Sequence, residues 1–114
     1  MSLSEEYKVF LEDLFAAFGP ITIRKMFGGG GLYRDGIMFA LVANDRLYLK
    51  ADETNRADFE DEGMKPFTYM GRGKPVRMSY WELPEALYDD PERLADLARK
   101  SFDVALKSGR KRTG

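Results

Sequence analysis

Two glycine-rich stretches in this 114-residue chain have a composition suited to holding an anion: Gly28-Gly29-Gly30-Gly31 and Gly71-Arg72-Gly73-Lys74. Consecutive exposed N–H groups can cradle a phosphate, and a nearby cation adds to the attraction. The spacing argues against the known phosphate motifs. A Walker loop needs G-x-x-x-x-G-K-[ST], and no Lys-Ser or Lys-Thr follows Gly31. The dinucleotide fingerprint opens a helix, whereas Leu32-Tyr33-Arg34 reads as strand. The first run therefore predicts a bulge, a bend or a close backbone approach, with a β-branched residue at Gly29 resisting a positive φ. The second predicts a hairpin turn in which Arg72 and Lys74 make at most a weak phosphate or partner contact. Arg110, Lys111 and Arg112, with Lys107, add a basic tail of the same limited kind.

Composition removes most other chemistry. The chain has no histidine and no cysteine, which takes away the usual general base, thiol nucleophiles and the commonest metal ligands. Ser79 lacks both a histidine and an S-x-x-K context. Asp58, Glu60, Asp61 and Glu62 read as a solvated helix face. The chain is accordingly expected to be non-enzymatic, with no cofactor and no metal. Lys and Arg number 18 against 19 Asp and Glu, a formal charge of -1. That balance predicts weak, salt-sensitive nucleic-acid contact and no sequence-specific duplex binding. The tyrosines and Trp81 form a stacking platform only if a basic groove accompanies them. No leader and no apolar run near ~20 residues is visible, so the expected location is the cytoplasm, without membrane contact.

The elements that must position these residues follow from periodicity. Tyr7, Leu11, Leu14, Phe15 and Phe18 form the stripe of a first helix, capped by Ser2 or Ser4 and stopped by Gly19-Pro20. A strand from Ile21 to Phe27 leads into the glycines and resumes at Leu32 to Arg34. Asp35-Gly36 turns into Ile37 to Val42, and Asn44-Asp45 turns into Arg46 to Ala51. A short helix follows over 52–62, with Ala57 and Phe59 inward and Gly63 as its stop. Phe67 to Met70 and Val76 to Trp81 make a second hairpin. The last helix is capped by Asp90, starts at Pro91, buries Leu94, Leu97, Ala98, Phe102 and Ala105, and ends near Lys107. The order α-β-β-β-α-β-β-α predicts an α+β fold: a two-layer domain with an antiparallel sheet covered by helices over residues 1–107, then a flexible basic tail over 108–114. Edge strands and an incompletely covered sheet face predict a homodimer.

The motif Arg24-Lys25-Met26-Phe27-Gly28-Gly29, followed by Gly31-Leu32-Tyr33, resembles the N-terminal domain of the TfoX/Sxy competence-regulator family. Met38-Phe39-Ala40, Leu47-Tyr48-Leu49-Lys50 and Met78-Ser79-Tyr80-Trp81-Glu82-Leu83-Pro84 continue the match in order, over roughly residues 5–107. The resemblance implies a fold like that of secretion-chaperone domains, here as a stand-alone N-terminal domain. It assigns Met26, Phe27, Gly28, Gly29, Gly31, Tyr33, Tyr80, Leu83 and Pro84 as structural motif residues. It implies a regulatory or protein-interaction role linked to transcriptional control of competence, with a protein partner, a transcription factor among the candidates. The alternative is a small-ligand or nucleotide-binding domain using the glycine-rich loops.

Overall fold

The computed structural model describes residues 4–26 and 29–113, without the side chains of Met26 and of residues 109–113. Helix α1 spans Glu5–Leu14, and Ser4 caps it by accepting from the Tyr7 N–H at 3.0 Å. One further turn carries Phe15 to Phe18, and Gly19 leaves it at φ +131. Six strands follow: β1 Thr22–Met26, β2 Gly29–Arg34, β3 Ile37–Ala43, β4 Arg46–Lys50, β5 Pro66–Gly71 and β6 Lys74–Glu82. Helix α2, Ala57–Glu60, lies between β4 and β5. A 3-10 turn, Glu85–Asp89, leads to helix α3, Pro91–Thr113, whose first turn donates the Arg93 N–H to the Asp90 carboxylate. The sheet is antiparallel throughout, in the order β1-β2-β3-β4-β6-β5.

The α+β class and the sequence of helices and strand blocks are those read from periodicity. Four details differ. The stretch read as one interrupted strand, Ile21 to Arg34, is two paired strands, with Met26 opposite Gly29 and Lys25 opposite Gly30. Their connection, Phe27 and Gly28, lies outside the described residues. Helix α2 is one turn long. Phe59 is buried in it while Ala57 is exposed. Residues 108–113 continue α3 past Lys107, where the helix was expected to end, because nothing between Pro91 and Ser108 breaks a helix and Gly109 alone weakens it. Finally, Gly29 has no positive φ; its constraint is a neighbour.

Turn chemistry sets the strand registers. Asp35 and Gly36, Asn44 and Asp45, and Arg72 and Gly73 each occupy paired positive-φ positions. That is the type I′ geometry that matches strand twist. The helices cover one face of the sheet only. Leu11, Leu14, Phe15, Leu94 and Ala98 pack there on Leu32, Phe39, Leu47, Leu49 and Trp81. A bulge in β3 places Ala40 opposite Leu32 and Met38 opposite Tyr33, so Phe39 is the extra residue. Both Phe39 and Ala40 thereby reach the helix side, where the Phe39 ring lies 4.9 Å from Phe18 and 5.6 Å from Phe15. Each fully buried Leu or Phe of this layer contributes about 1.5–3 kcal/mol.

Arg34 ties the layers together at the end of α1. Its Nη1 donates to the Phe18 carbonyl at 3.1 Å, and its guanidinium stacks on Phe18 at 4.5 Å and Phe102 at 5.4 Å. A cation there meets the unpaired carbonyls and the negative end of the helix dipole. Asn55 does comparable work after β4. It is 3% exposed, accepts from the Asp52 N–H at 2.8 Å and donates to the Lys50 carbonyl at 3.1 Å.

Candidate functional site

The face of the sheet turned away from the helices carries its own apolar cluster. Alternation along the strands puts Leu41, Tyr48 and Tyr80 there, with Met38, Ala43, Phe67 and Met78 packed around them. The first three are buried by their sheet neighbours alone, because the hairpin of β5 and β6 curls back over this face. Residues as far apart in the sheet as Gly30 on β2 and Tyr69 on β5 line one hollow of about 480 Å³. Tyr48 and Phe67 meet edge to face at 5.1 Å, and Phe67 stacks on Tyr69 at 6.3 Å. Tyr69 remains 46% exposed, so the hollow opens to solvent beside it.

The glycines shape this face. One register row crosses the sheet as Arg24, Gly31, Leu41, Tyr48 and Glu82. Gly31 supplies no side chain in the middle of that row. At Gly29 a Cβ would stand 1.9 Å from the Val42 carbonyl oxygen, so β2 and β3 approach there as only glycine permits. Strand β2 lies between β1 and β3, and Gly30 and Gly31 pair with both. The run is thus engaged in the sheet ladder. It presents no open loop of N–H groups, and the phosphate-cradle geometry weighed for it from sequence is not formed by its described members.

The other residues singled out from sequence fall in three places. Tyr33 and Tyr80 are on the open face, each under a cation: Arg24 lies 5.1 Å from the Tyr33 ring centroid and Lys50 lies 5.0 Å from that of Tyr80. Leu83 and Pro84 are buried where the chain leaves β6, with the Leu83 N–H donating to the Leu47 carbonyl at 2.8 Å. Arg72 is at the tip of the β5–β6 hairpin, and Lys74 begins the returning strand. Met26 ends β1, with its side chain outside the described set. Phe27 and Gly28 lie outside the described residues, as do the side chains of Arg110, Lys111 and Arg112, whose backbone is helical. Trp81, weighed from sequence as part of a stacking platform, is packed on the helix side beside Phe59.

Electrostatics on the open face were hidden by the chain's overall balance. The six strands contain seven cations, Arg24, Lys25, Arg34, Arg46, Lys50, Lys74 and Arg77, against the one carboxylate Glu82; Arg24, Arg46, Lys50 and Lys74 alternate onto the open face with Glu82, whereas Arg34 packs on Phe18 and Phe102 on the helix side. Glu82 is itself paired with Arg46 at 3.1 Å. Burial, with Glu82 nearby, pushes the Tyr48 hydroxyl above its ordinary value and keeps it neutral. Net charge could not reveal this segregation; counting charges strand by strand could. Among the described residues no three His, Cys, Asp or Glu side chains converge on a metal-sized point, and no helix is long and apolar enough to cross a membrane.

The sequence has known counterparts. The family model described as the TfoX N-terminal domain matches residues 13–105. The chain is similar to Protein Sxy of Escherichia coli (strain K12), 31% identical over 84% of this chain and 46% of that protein. It is also similar to the DNA transformation protein TfoX1 of Aliivibrio fischeri (strain ATCC 700601 / ES114), 28% identical over 89% of this chain and 46% of that protein. The chain therefore spans about half the length of the curated relatives it matches.

Proposed function

The chain belongs to the TfoX N-terminal domain family, and from that premise we propose that it is a non-enzymatic regulatory module that acts by binding a protein partner, in the control of DNA uptake. The observation that carries this reading is the uncovered sheet face with its apolar hollow of about 480 Å³, on a chain whose helices all lie on the opposite side. Apolar surface left open in this way marks interaction sites. One relative is named a DNA transformation protein, and we carry that over as the process in which the partner works.

Met38→Asp and Met78→Asp test this. Both residues line the hollow and are only partly buried, so a charge there alters the face with little effect on the helix-side core. In the source cell, each should reduce transformation frequency and uptake-gene transcripts as far as deletion of the gene does, while the purified variants keep the wild-type melt. Variants that fold normally and transform like wild type would show that another surface does the work. A deletion without effect on transformation would defeat the link to DNA uptake.

The same reading includes self-association through an edge strand, β1 or β5. Two concave faces brought together would set Arg24, Lys50 and Lys74 against their own copies, so the dimer leaves the hollow open. Light scattering at low micromolar concentration should give twice the monomer mass; a monomer mass removes the dimer and leaves the partner reading intact.

A further inference from the structure

We propose that the concave face docks an acidic amphipathic segment of its partner, with apolar side chains in the hollow and carboxylates on the cations around it. This rests on the reading of the face as a protein-binding surface, and it assigns the chemistry of what binds.

Three observations select the occupant. The first is the floor. Met38, Leu41, Ala43 and Met78 are aliphatic or thioether side chains, and methionine adapts to irregular apolar partners. The second is the rim. Arg24 stands at one end of the row that runs through Gly31 and Leu41. Lys50 lies over Tyr80 and donates to the Ser79 hydroxyl at 2.6 Å. Lys74 pairs with Gly71, whose Cβ, if it had one, would meet Tyr69 and Val76 side chains on this same face. Three cations thus border the apolar floor, and the only carboxylate of the sheet is held by Arg46. The third is what the face cannot do well. Tyr48 and Tyr80 are 8% and 7% exposed, so their rings are closed to bases, and Tyr69, 46% exposed, is one open ring where a stacking platform needs several. A second copy brings the same cations, as argued for the dimer. An apolar stripe flanked by Asp and Glu complements both floor and rim.

The test uses synthetic fluorescein-labelled peptides and the full chain. The first is an amphipathic 16-mer with Leu and Phe at i, i+3, i+4 and i+7 spacing and Asp or Glu elsewhere. The second replaces its acids with Lys, and the third scrambles the acidic sequence. Fluorescence anisotropy should show saturable binding of the acidic amphipath, at least ~10-fold tighter than either control, because charge and apolar contact are both required. Arg24→Glu combined with Lys74→Glu should weaken it ~10-fold or more, as two charge pairs are reversed, and Met78→Glu should abolish it. Salt should weaken it, and an unlabelled single-stranded oligonucleotide should not compete. Equal binding of the scrambled peptide would overturn the proposal in favour of charge alone, and complete competition by the oligonucleotide would overturn it in favour of nucleic acid. Preferential binding of the Lys amphipath would overturn the acidic assignment while keeping a protein-binding face. Absence of binding by every peptide, together with wild-type transformation by Met78→Asp, would defeat both readings.

Discussion

Replacing Gly29 by alanine adds a single methyl group at the point where two strands nearly touch. The added Cβ would stand 1.9 Å from the Val42 carbonyl oxygen and 3.0 Å from its carbon, where ordinary contact begins at 3.4 Å. Relief therefore needs a displacement of about 1.5 Å, and the obstacle is backbone, with no flexible side-chain end to swing aside. Strand β3 is held on its other side by β4, so the shift must break β2–β3 hydrogen bonds at this end of the ladder. Overpacking of this kind costs about 3 kcal/mol, the upper part of the usual range. For a domain of this size that lowers the melting temperature by about 10 °C. Gly36→Ala is the internal comparison. Gly36 has φ +78 and nothing within 4 Å of its absent Cβ, so the change brings backbone strain without a clash. That costs about 1–2 kcal/mol. Thermal melts followed by circular dichroism, with urea titrations to check that the m-value is unchanged, would rank the three proteins. A Gly29→Ala melt within ~2 °C of wild type, or one less affected than Gly36→Ala, would refute the close-approach argument.

Arg34→Ala should lose about 2–3 kcal/mol, from a charged hydrogen bond to the Phe18 carbonyl and two ring contacts; Arg34→Lys should not restore it, because an ammonium cannot stack while pairing, and full rescue by Lys in a urea melt would count against that geometry. Asn55→Ala should lose about 2–4 kcal/mol by leaving the Asp52 N–H and Lys50 carbonyl without their partner, and a loss under ~1 kcal/mol in urea would mean water replaces the side chain. Tyr88 is pushed up to about 12, chiefly by burial and also by Tyr7, with a backbone hydrogen bond at Leu47 opposing the shift. Its unfolded phenol ionises near ~10. The unfolded chain therefore gives up this proton first, so the contribution to stability is full below ~10 and is lost as pH rises through about 12. Tyr88→Phe should lack that part of the alkaline decline; parallel stability profiles from pH 8 to 12 would remove Tyr88 as its source.

Local chemistry explains which parts of the molecule were readable in the sequence. Asp35-Gly36 and Asn44-Asp45 announced their hairpins because few residue pairs accept two positive φ values. Asp90-Pro91 announced the start of α3, and the helical stripes named the helix-side core. The split into β1 and β2 was illegible because glycine has low strand propensity, and pairing on both sides overrode it. Helix α2 was overextended because the buried turn at Asn55 uses backbone groups that a longer helix would have needed. The open face was not legible as a set, because Leu41, Tyr48 and Tyr80 come from three strands and the bulge at Phe39 interrupts the alternation of β3. Which face the helices would cover depends on packing across the whole sheet, and no strand records that by itself.

The strand order also determines how the sheet can assemble. Four of its five pairings, β1–β2, β2–β3, β3–β4 and β5–β6, join neighbours along the chain through short connections. Only β4–β6 closes a long loop, and its register comprises three residue pairs, Tyr48 with Glu82, Leu49 with Trp81 and Lys50 with Tyr80. Loop-closure entropy is concentrated at that junction, while the rest zips from local turns. A chain caught before the junction forms is a four-stranded meander and a separate hairpin. Leu49 then lacks Trp81 and Tyr48 lacks Phe67, so apolar groups on both faces meet solvent at once. The speed with which β4 finds β6 then sets how long such a chain would expose these groups to other copies.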